Sequence, residues 1–224
     1  MEKYQNINIL YEDNHIIVVN KPANMPVCSD ESKDTDLLSK LKEYIKNKYN
    51  KPGNVYLGLI HRLDRPVEGV MVFAKTSKAA SRLSSQIQNK QFKKTYYAVV
   101  ENKPPKEGTF TDYLYKEEKT NTSYVTNENK GKKSILEFKS INNKDNLTIV
   151  KINLLTGRHH QIRVQFSHHG YPLYGDHKYN KKFINDNKTN IALIAKELSF
   201  YHPTTKEPLT FSIDLPKRYP YSLF

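Results

Sequence analysis

The chain has 224 residues, with no tryptophan, one cysteine and only eight glycines. The single cysteine, Cys28, excludes an internal disulfide and a metal site built from several cysteines. No apolar run approaches the roughly 20 residues that a membrane helix needs. The N-terminal MEKYQNINIL also lacks the layout of a signal peptide. We therefore expect a cytoplasmic protein that is not bound to a membrane.

Positive charge is in excess, with a formal net charge of +13 and a pI near 9.5. Residues 75–106 hold eight Lys and Arg against Glu101 alone, and residues 151–183 hold six against Asp176 alone. Residues 1–50 are close to neutral. Clustered positive charge of this kind favours a nucleic acid as partner, although a solvated lysine-rich surface is the alternative.

Alternating and apolar segments predict an α+β fold with a mixed or antiparallel sheet, in one domain over 1–224 or in two small subdomains. A helix capped by Asp34 or Thr35 is expected to carry Leu37, Leu38, Leu41 and Ile45, and a second is expected to start at Thr76 or Ser77. A third helix is predicted over 158–169, and polar loops over 46–54 and 116–134, the latter mobile. Strands are predicted at 7–11, 16–20, 55–60, 69–74, 95–101, 108–115, 135–140, 147–155, 191–200 and 209–214.

The most informative stretch is HRLDRPVEGVMV, which runs from residue 61 to residue 72. It places Asp64 between Arg62 and Arg65, just before an apolar strand. Nearby positive charge keeps a carboxylate ionised, and an ionised carboxylate on a stiff loop can act as a nucleophile or a base. The alternative is an exposed salt-bridge cluster at a turn.

Four ordered blocks of the sequence resemble the RluA-type pseudouridine synthases. The blocks are IIVVNKP (16–22), HRLD with its following Gly and strand, QFKKTYYAVVE (91–101) and TGRHHQIR (156–163) with Gly170, Pro172, Gly175 and Asp176 behind it; His202, Pro203 and Pro216 match the close. The resemblance covers nearly the whole chain. It implies a long curved sheet in two halves with flanking helices and a central cleft, without an S4-type domain.

The resemblance also implies roles for individual residues. Asp64 matches the nucleophile, Tyr96 the residue that stacks on uracil or moves a proton, and Arg163 the arginine that pairs with the aspartate. Arg62 would fill the hole that a flipped base leaves, or contact a phosphate. The other substrate-binding candidates are His61, Arg65, Arg158 and Gln161, of which the last two contact the backbone or brace the loop.

Several of these side chains also have structural explanations that need no role in a site. Strand alternation places Tyr96 and Tyr97 on opposite faces, where either could be a core residue. The Thr-Gly pair of TGRHHQIR is expected to start the third helix, whose N-terminus would favour a phosphate or Asp64, and a surface helix residue is the alternative for Arg163. Adjacent histidines on a helix diverge by about 100°, so no metal site is expected. Glu68 and His159 depart from the family pattern.

The expected function is the isomerisation of uridines to pseudouridine in rRNA or tRNA by a monomer that needs no cofactor or metal. Two alternatives stay open. One is an inactive RNA-binding or chaperone module of the same fold, because Glu68 could disturb the cleft. The other is an aspartate-dependent phosphate-ester hydrolase, for which the clustered carboxylates of a metal site are missing from the sequence.

Overall fold

The computed structural model describes residues 7–30, 34–186 and 188–224, so most of the N-terminal segment assessed above for a signal peptide lies outside them. Within these residues, no helix combines the length and apolarity needed to cross a bilayer. The helices are α1 (Leu37–Lys48), α2 (Ser77–Gln88) and α3 (Gln161–His168). The strands are β1 (Asn8–Glu12), β2 (Ile16–Lys21), β3 (Gly58–Leu59), β4 (Glu68–Ala74), β5 (Lys93–Glu101), β6 (Glu107–Glu117), β7 (Thr122–Thr126), β8 (Lys132–Lys144), β9 (Leu147–Leu154), β10 (Leu193–Tyr201) and β11 (Pro208–Ser212).

The chain forms two compact units. The first contains the described residues up to 93 together with 195–213. Its strand order is β1-β2-β4-β10, with β3 paired to β4 and β11 paired to β10. Apolar side chains of β2 and β4 pack with α2 in its core, where Ile16, Val72 and Leu83 are fully buried. The β1–β2, β2–β4, β3–β4 and β10–β11 pairs are antiparallel.

The second unit contains residues 94–194 and 214–224. Its strand order is β5-β9-β8-β6-β7, again with antiparallel pairs. Phe110, Phe138 and Phe166 meet in its core with ring centroids 4.7–5.4 Å apart, so α3 packs on the sheet through an aromatic cluster. The α+β class predicted from the sequence is confirmed.

The segment 116–134 is not the loop that its polarity suggested. It holds the end of β6, the whole of β7 and the start of β8. Tyr115 and Tyr124 are cross-strand partners on β6 and β7, and Lys130 Nζ lies 4.4 Å from the Tyr115 ring centroid. Polar strands of this kind are stabilised by cross-strand side-chain pairs, which a single-segment reading does not detect.

Smaller differences concern element ends. Asp36, rather than Asp34 or Thr35, caps α1, because its Oδ1 accepts the Ser39 N–H at 2.9 Å. The helix continues to Lys48, which shortens the predicted loop, and the predicted strand at 55–60 is reduced to Gly58–Leu59. Thr76 caps α2 as expected, with Oγ1 accepting the Ala79 N–H at 3.1 Å.

A charged cluster around Glu12 fixes α1 to β1. The Glu12 carboxylate accepts hydrogen bonds from Lys48 (2.6 Å), Lys75 (2.7 Å), Tyr49 (2.9 Å) and Tyr44 (3.0 Å). Burial alone would raise the pKa of this carboxyl, but the hydrogen bonds from the two lysines and two tyrosines lower it to about 2. The ionised form therefore stabilises the folded state.

We expect Glu12→Gln to lower the free energy of unfolding at pH 7 by about 3 kcal/mol. The folded pKa lies below the unfolded value of 4.5, so the contribution is complete above pH 4.5 and disappears as the pH falls towards 2. Urea unfolding of wild type and variant at pH 7 and pH 3 measures this. The control is Glu43→Gln, on the exposed face of α1, and an equal loss in both variants at pH 7 would contradict the assignment.

Candidate active site

Asp64 lies on a short loop in the first unit whose main chain is held on both sides. Leu63 and Val67 are buried and anchor the loop to the core. The Val67 N–H donates to the Asp64 carbonyl at 3.0 Å, which closes a turn directly after the aspartate. The side chain of Asp64 is thus carried by a loop that is anchored in the core and closed by a backbone hydrogen bond.

Lys21, at the end of β2, supports the same loop through hydrogen bonds to main-chain carbonyls. Its side chain is fully buried, and Nζ donates to the carbonyls of Met25 (2.7 Å), Pro22 (2.9 Å) and Arg65 (3.0 Å). Burial lowers the pKa of Lys21 to about 7, and the charges of Asp64 and Glu68 act in the opposite direction. From the sequence, the Lys-Pro pair indicates only a turn; the signal of a buried role is a lysine that ends the apolar run IIVVN.

Replacing Lys21 by methionine is expected to keep the volume of the side chain but remove the ammonium group that donates to three carbonyls. Each buried unsatisfied group costs about 1–3 kcal/mol, so we expect a loss of several kcal/mol in unfolding free energy. Chemical denaturation measures it, with Lys46→Met on the exposed face of α1 as the matched control. If both variants unfold at the same denaturant concentration as wild type, Lys21 does not brace the loop.

The other residues of the HRLD segment differ in their surroundings. Arg62 is exposed, and among the described residues no hydrogen bond or ion pair holds it. Arg65 is also exposed and pairs with Asp34. His61 Nε2 accepts the Val72 N–H at 3.2 Å, so His61 ties the loop to β4. Arg62 is therefore the more available cation for a substrate.

Glu68 and Gly69 open β4 directly after this loop. Glu68 is half-buried and contributes a second negative charge near Lys21. Gly69 has φ +136°, and a Cβ at this position would lie 2.4 Å from the carbonyl oxygen of Ala195. Only glycine fits there, which explains why the segment needs Gly before its apolar strand.

Tyr96 and Lys94 lie on the same face of β5 in the second unit. Tyr96 is buried and Tyr97 is half-buried, in agreement with the alternation predicted for the strand. Lys94 Nζ lies 3.1 Å from the point where a Cβ of Gly157 would stand. Burial lowers the pKa of this lysine. The strand thus brings a buried tyrosine and a half-buried lysine to one face, with the lysine next to Gly157 of the TGR segment.

Arg163 is a buried residue of α3, so the surface-helix alternative is wrong. Its side chain is 4% exposed and that of Asp176 is 0% exposed. The pair is bidentate, with Nε to Oδ2 at 2.8 Å and Nη2 to Oδ1 at 2.7 Å. Asp176 Oδ1 also accepts the N–H groups of Lys178 and Tyr179. A guanidinium held this way has a fixed plane and direction.

The TGRHHQIR segment does not start the helix at its Thr-Gly pair, as the sequence suggested. The helix α3 begins at Gln161, after His160 in a left-handed conformation (φ 53°). Gln161 Oε1 accepts from Thr156 Oγ1 (2.8 Å) and from the Arg158 N–H (3.0 Å). Buried Gln161 therefore braces the loop, and the Thr-Gly pair is not an anion site at a helix N-terminus.

Arg158 and the histidines complete this region. Arg158 is exposed, with Nε donating to the Lys133 carbonyl at 3.2 Å. His160 is buried, which together with the charge of Arg163 strongly lowers its pKa and keeps it neutral. His169 contacts Asp112 at 3.1 Å. Among the residues that the structure describes, no three His, Cys, Asp or Glu side chains are grouped so as to hold a metal ion.

Comparisons with known proteins agree on one family. The sequence model of the family described as RNA pseudouridylate synthase matches residues 15–168. The ribosomal large subunit pseudouridine synthase C of Buchnera aphidicola subsp. Baizongia pistaciae is 34% identical over 92% of this chain and 66% of its own length. The uncharacterized RNA pseudouridine synthase YhcT of Bacillus subtilis is 33% identical over 96% of this chain and 70% of its own length.

The fold has close counterparts among solved structures. Human RNA Pseudouridylate Synthase Domain Containing 4 superposes with a TM-score of 0.79 at 22% identity, over 96% of this chain and 91% of that one. Human RNA Pseudouridylate Synthase Domain Containing 1 gives 0.77 at 22% identity, over 99% and 88%. The fold is therefore that of pseudouridylate synthase domains.

Proposed function

Because this chain belongs to the RNA pseudouridylate synthase family and is an RluA-type pseudouridine synthase, we propose that it isomerises specific uridines of ribosomal or transfer RNA, with Asp64 as the nucleophile. Ribosomal RNA is the first choice of substrate, since several relatives are named ribosomal large subunit pseudouridine synthases C or D. The observation that supports this proposal is that the Asp64 loop is held by buried Lys21, which donates to the Arg65 carbonyl.

The reaction breaks the bond between the ribose and N1 of uracil, turns the base and joins the ribose to C5. The C5 hydrogen is lost as a proton and one proton is taken up at N1, so no oxidant or reductant is consumed. A carboxylate nucleophile divides this isomerisation into two easier steps through a covalent intermediate. Asp64 is the carboxylate in this proposal, and Lys21 holds its loop in place for the attack.

The remaining candidates take supporting roles in the proposal. Arg163 takes the role of the arginine that assists the catalytic aspartate in the family, which suits a guanidinium already oriented by Asp176. Tyr96 stacks on the uracil or moves a proton. Arg62, exposed and not held by any side chain that the structure describes, occupies the gap left by the flipped base or contacts a phosphate.

We assign substrate binding to four further residues: His61, Arg65, Arg158 and Gln161. Arg65 and Arg158 are exposed cations that suit contacts with RNA phosphates, even though each also has a protein partner. Gln161 is buried and His61 is tied to β4, so these two act by shaping the loops that contact RNA. Phosphate contacts should make RNA binding strongly salt-dependent.

A tritium-release assay tests the function. Large-subunit rRNA and tRNA transcripts containing uridine tritiated at C5 are incubated with the protein, and only an enzyme that forms the new bond at C5 displaces the label. We expect one tritium to be released for each uridine that is converted, and we expect the release to continue in EDTA. An RNA-binding module would bind the transcripts without release, and a metal-dependent hydrolase would cleave esters and stop in EDTA. Either result would overturn the proposal.

A further inference from the structure

The Tyr179 side chain connects three elements around the buried arginine. Its hydroxyl accepts the N–H of Ser123, on β7, at 2.7 Å. The same oxygen lies 2.7 Å from Nδ1 of His160. The phenol can donate to His160 Nδ1 or accept from it, according to the tautomer of the imidazole. In both cases two contacts, to Ser123 and to His160, hold the hydroxyl in place.

The ring of Tyr179 supports the guanidinium of Arg163. Arg163 Cζ lies 5.2 Å from the ring centroid, within the range of a cation–π contact. Asp176 holds Nε and Nη2 of the same guanidinium along one edge. Asp176 therefore fixes the direction of the guanidinium within its plane, and the Tyr179 ring limits its movement out of that plane.

Strand β7, whose Ser123 donates to the Tyr179 hydroxyl, is held by further contacts. Ser123 Oγ lies 2.8 Å from Nδ1 of His159, and Lys178 Nζ donates to the Asn121 carbonyl at 2.7 Å. His159 stands where the family pattern more often has Thr or Ser. Its contact with Ser123 therefore depends on a departure from that pattern. These contacts hold β7, whose Ser123 N–H is the donor to the Tyr179 hydroxyl.

We propose that Tyr179 is a positioning residue for Arg163: its ring supports the guanidinium, and its hydroxyl ties that ring to β7 and His160. The inference rests on the proposed function, in which Arg163 acts in the reaction. A displacement of about 1 Å in a group that orients the reacting atoms can cost 10²-fold in rate. Tyr179 therefore affects the chemical step rather than the binding of RNA.

Two substitutions separate the ring from the hydroxyl. Tyr179→Phe keeps the ring and removes its tether, whereas Tyr179→Leu removes both. The control is Tyr174→Phe, in the same segment, where the tyrosine ring packs on Phe183 and Tyr219. In single-turnover tritium release we expect about a 10-fold loss for Tyr179→Phe and about a 100-fold loss for Tyr179→Leu. The Kd for the same transcript should stay within about twofold of wild type.

A second measurement does not need activity. The Nε–H resonance of Arg163 in ¹⁵N NMR of the RNA-free protein is expected to shift in Tyr179→Leu, through loss of the ring current, and to stay unchanged in Tyr174→Phe. If the resonance and the single-turnover rate of Tyr179→Leu both equal those of wild type, the positioning role is wrong. If wild type releases no tritium, the proposed function fails, while the resonance still reports whether the Tyr179 ring contacts Arg163.

Discussion

Asp64→Asn is expected to reduce pseudouridine formation at least about 10³-fold, because the amide is isosteric but is not a nucleophile. The fold should be retained. The loop contacts run through the Asp64 and Arg65 carbonyls, which the substitution does not change. Single-turnover tritium release from an rRNA or tRNA transcript, with the melting temperature recorded alongside, measures the effect.

Glu68→Gln provides the matched control for this loss. Glu68 is the other carboxylate near Lys21, four residues further along the chain. We expect its amide variant to stay within about 10-fold of wild type, since a carboxylate that only shapes the local potential contributes little compared with a nucleophile. The reverse pattern, with an active Asp64→Asn and an inactive Glu68→Gln, would move the nucleophile to Glu68.

Asp176→Asn is expected to destabilise the protein by about 3–5 kcal/mol, because it removes the charge of the carboxylate that binds the buried guanidinium of Arg163. Both side chains of this pair are almost completely removed from solvent. Urea unfolding at pH 7 measures the loss. We also expect the Arg163 Nε–H resonance to move, since that proton is donated to Asp176 Oδ2 in the wild type.

Asp145→Asn is the control for Asp176→Asn. Asp145 is an exposed turn residue with φ 51°, a conformation that asparagine adopts as readily as aspartate. Its unfolding free energy should therefore equal that of wild type within about 0.5 kcal/mol. An Asp176→Asn variant no less stable than Asp145→Asn would show that the ion pair does not support Arg163.

The elements predicted correctly are those whose signal lies within a few neighbouring residues. The apolar run before Ala74 indicates β4, and Thr76 with Leu83 indicates a capped amphipathic α2. By contrast, β7 has five residues of modest apolarity and is held by β6 alongside it. The start of α3 was misplaced for a similar reason, because Gln161 satisfies the Arg158 N–H and keeps the Thr-Gly pair out of the helix.

The order of HRLD, KTYYA and TGRHHQIR along the chain is enough to identify the family and the candidates Asp64, Tyr96 and Arg163, because short motifs preserve the residue types that the chemistry needs. Partners are a different matter. Lys21 meets the Arg65 carbonyl 44 positions away, and Ser123 meets the Tyr179 hydroxyl 56 positions away. Folding alone selects such pairs, since a buried polar group must find a donor or acceptor wherever the packed chain provides one.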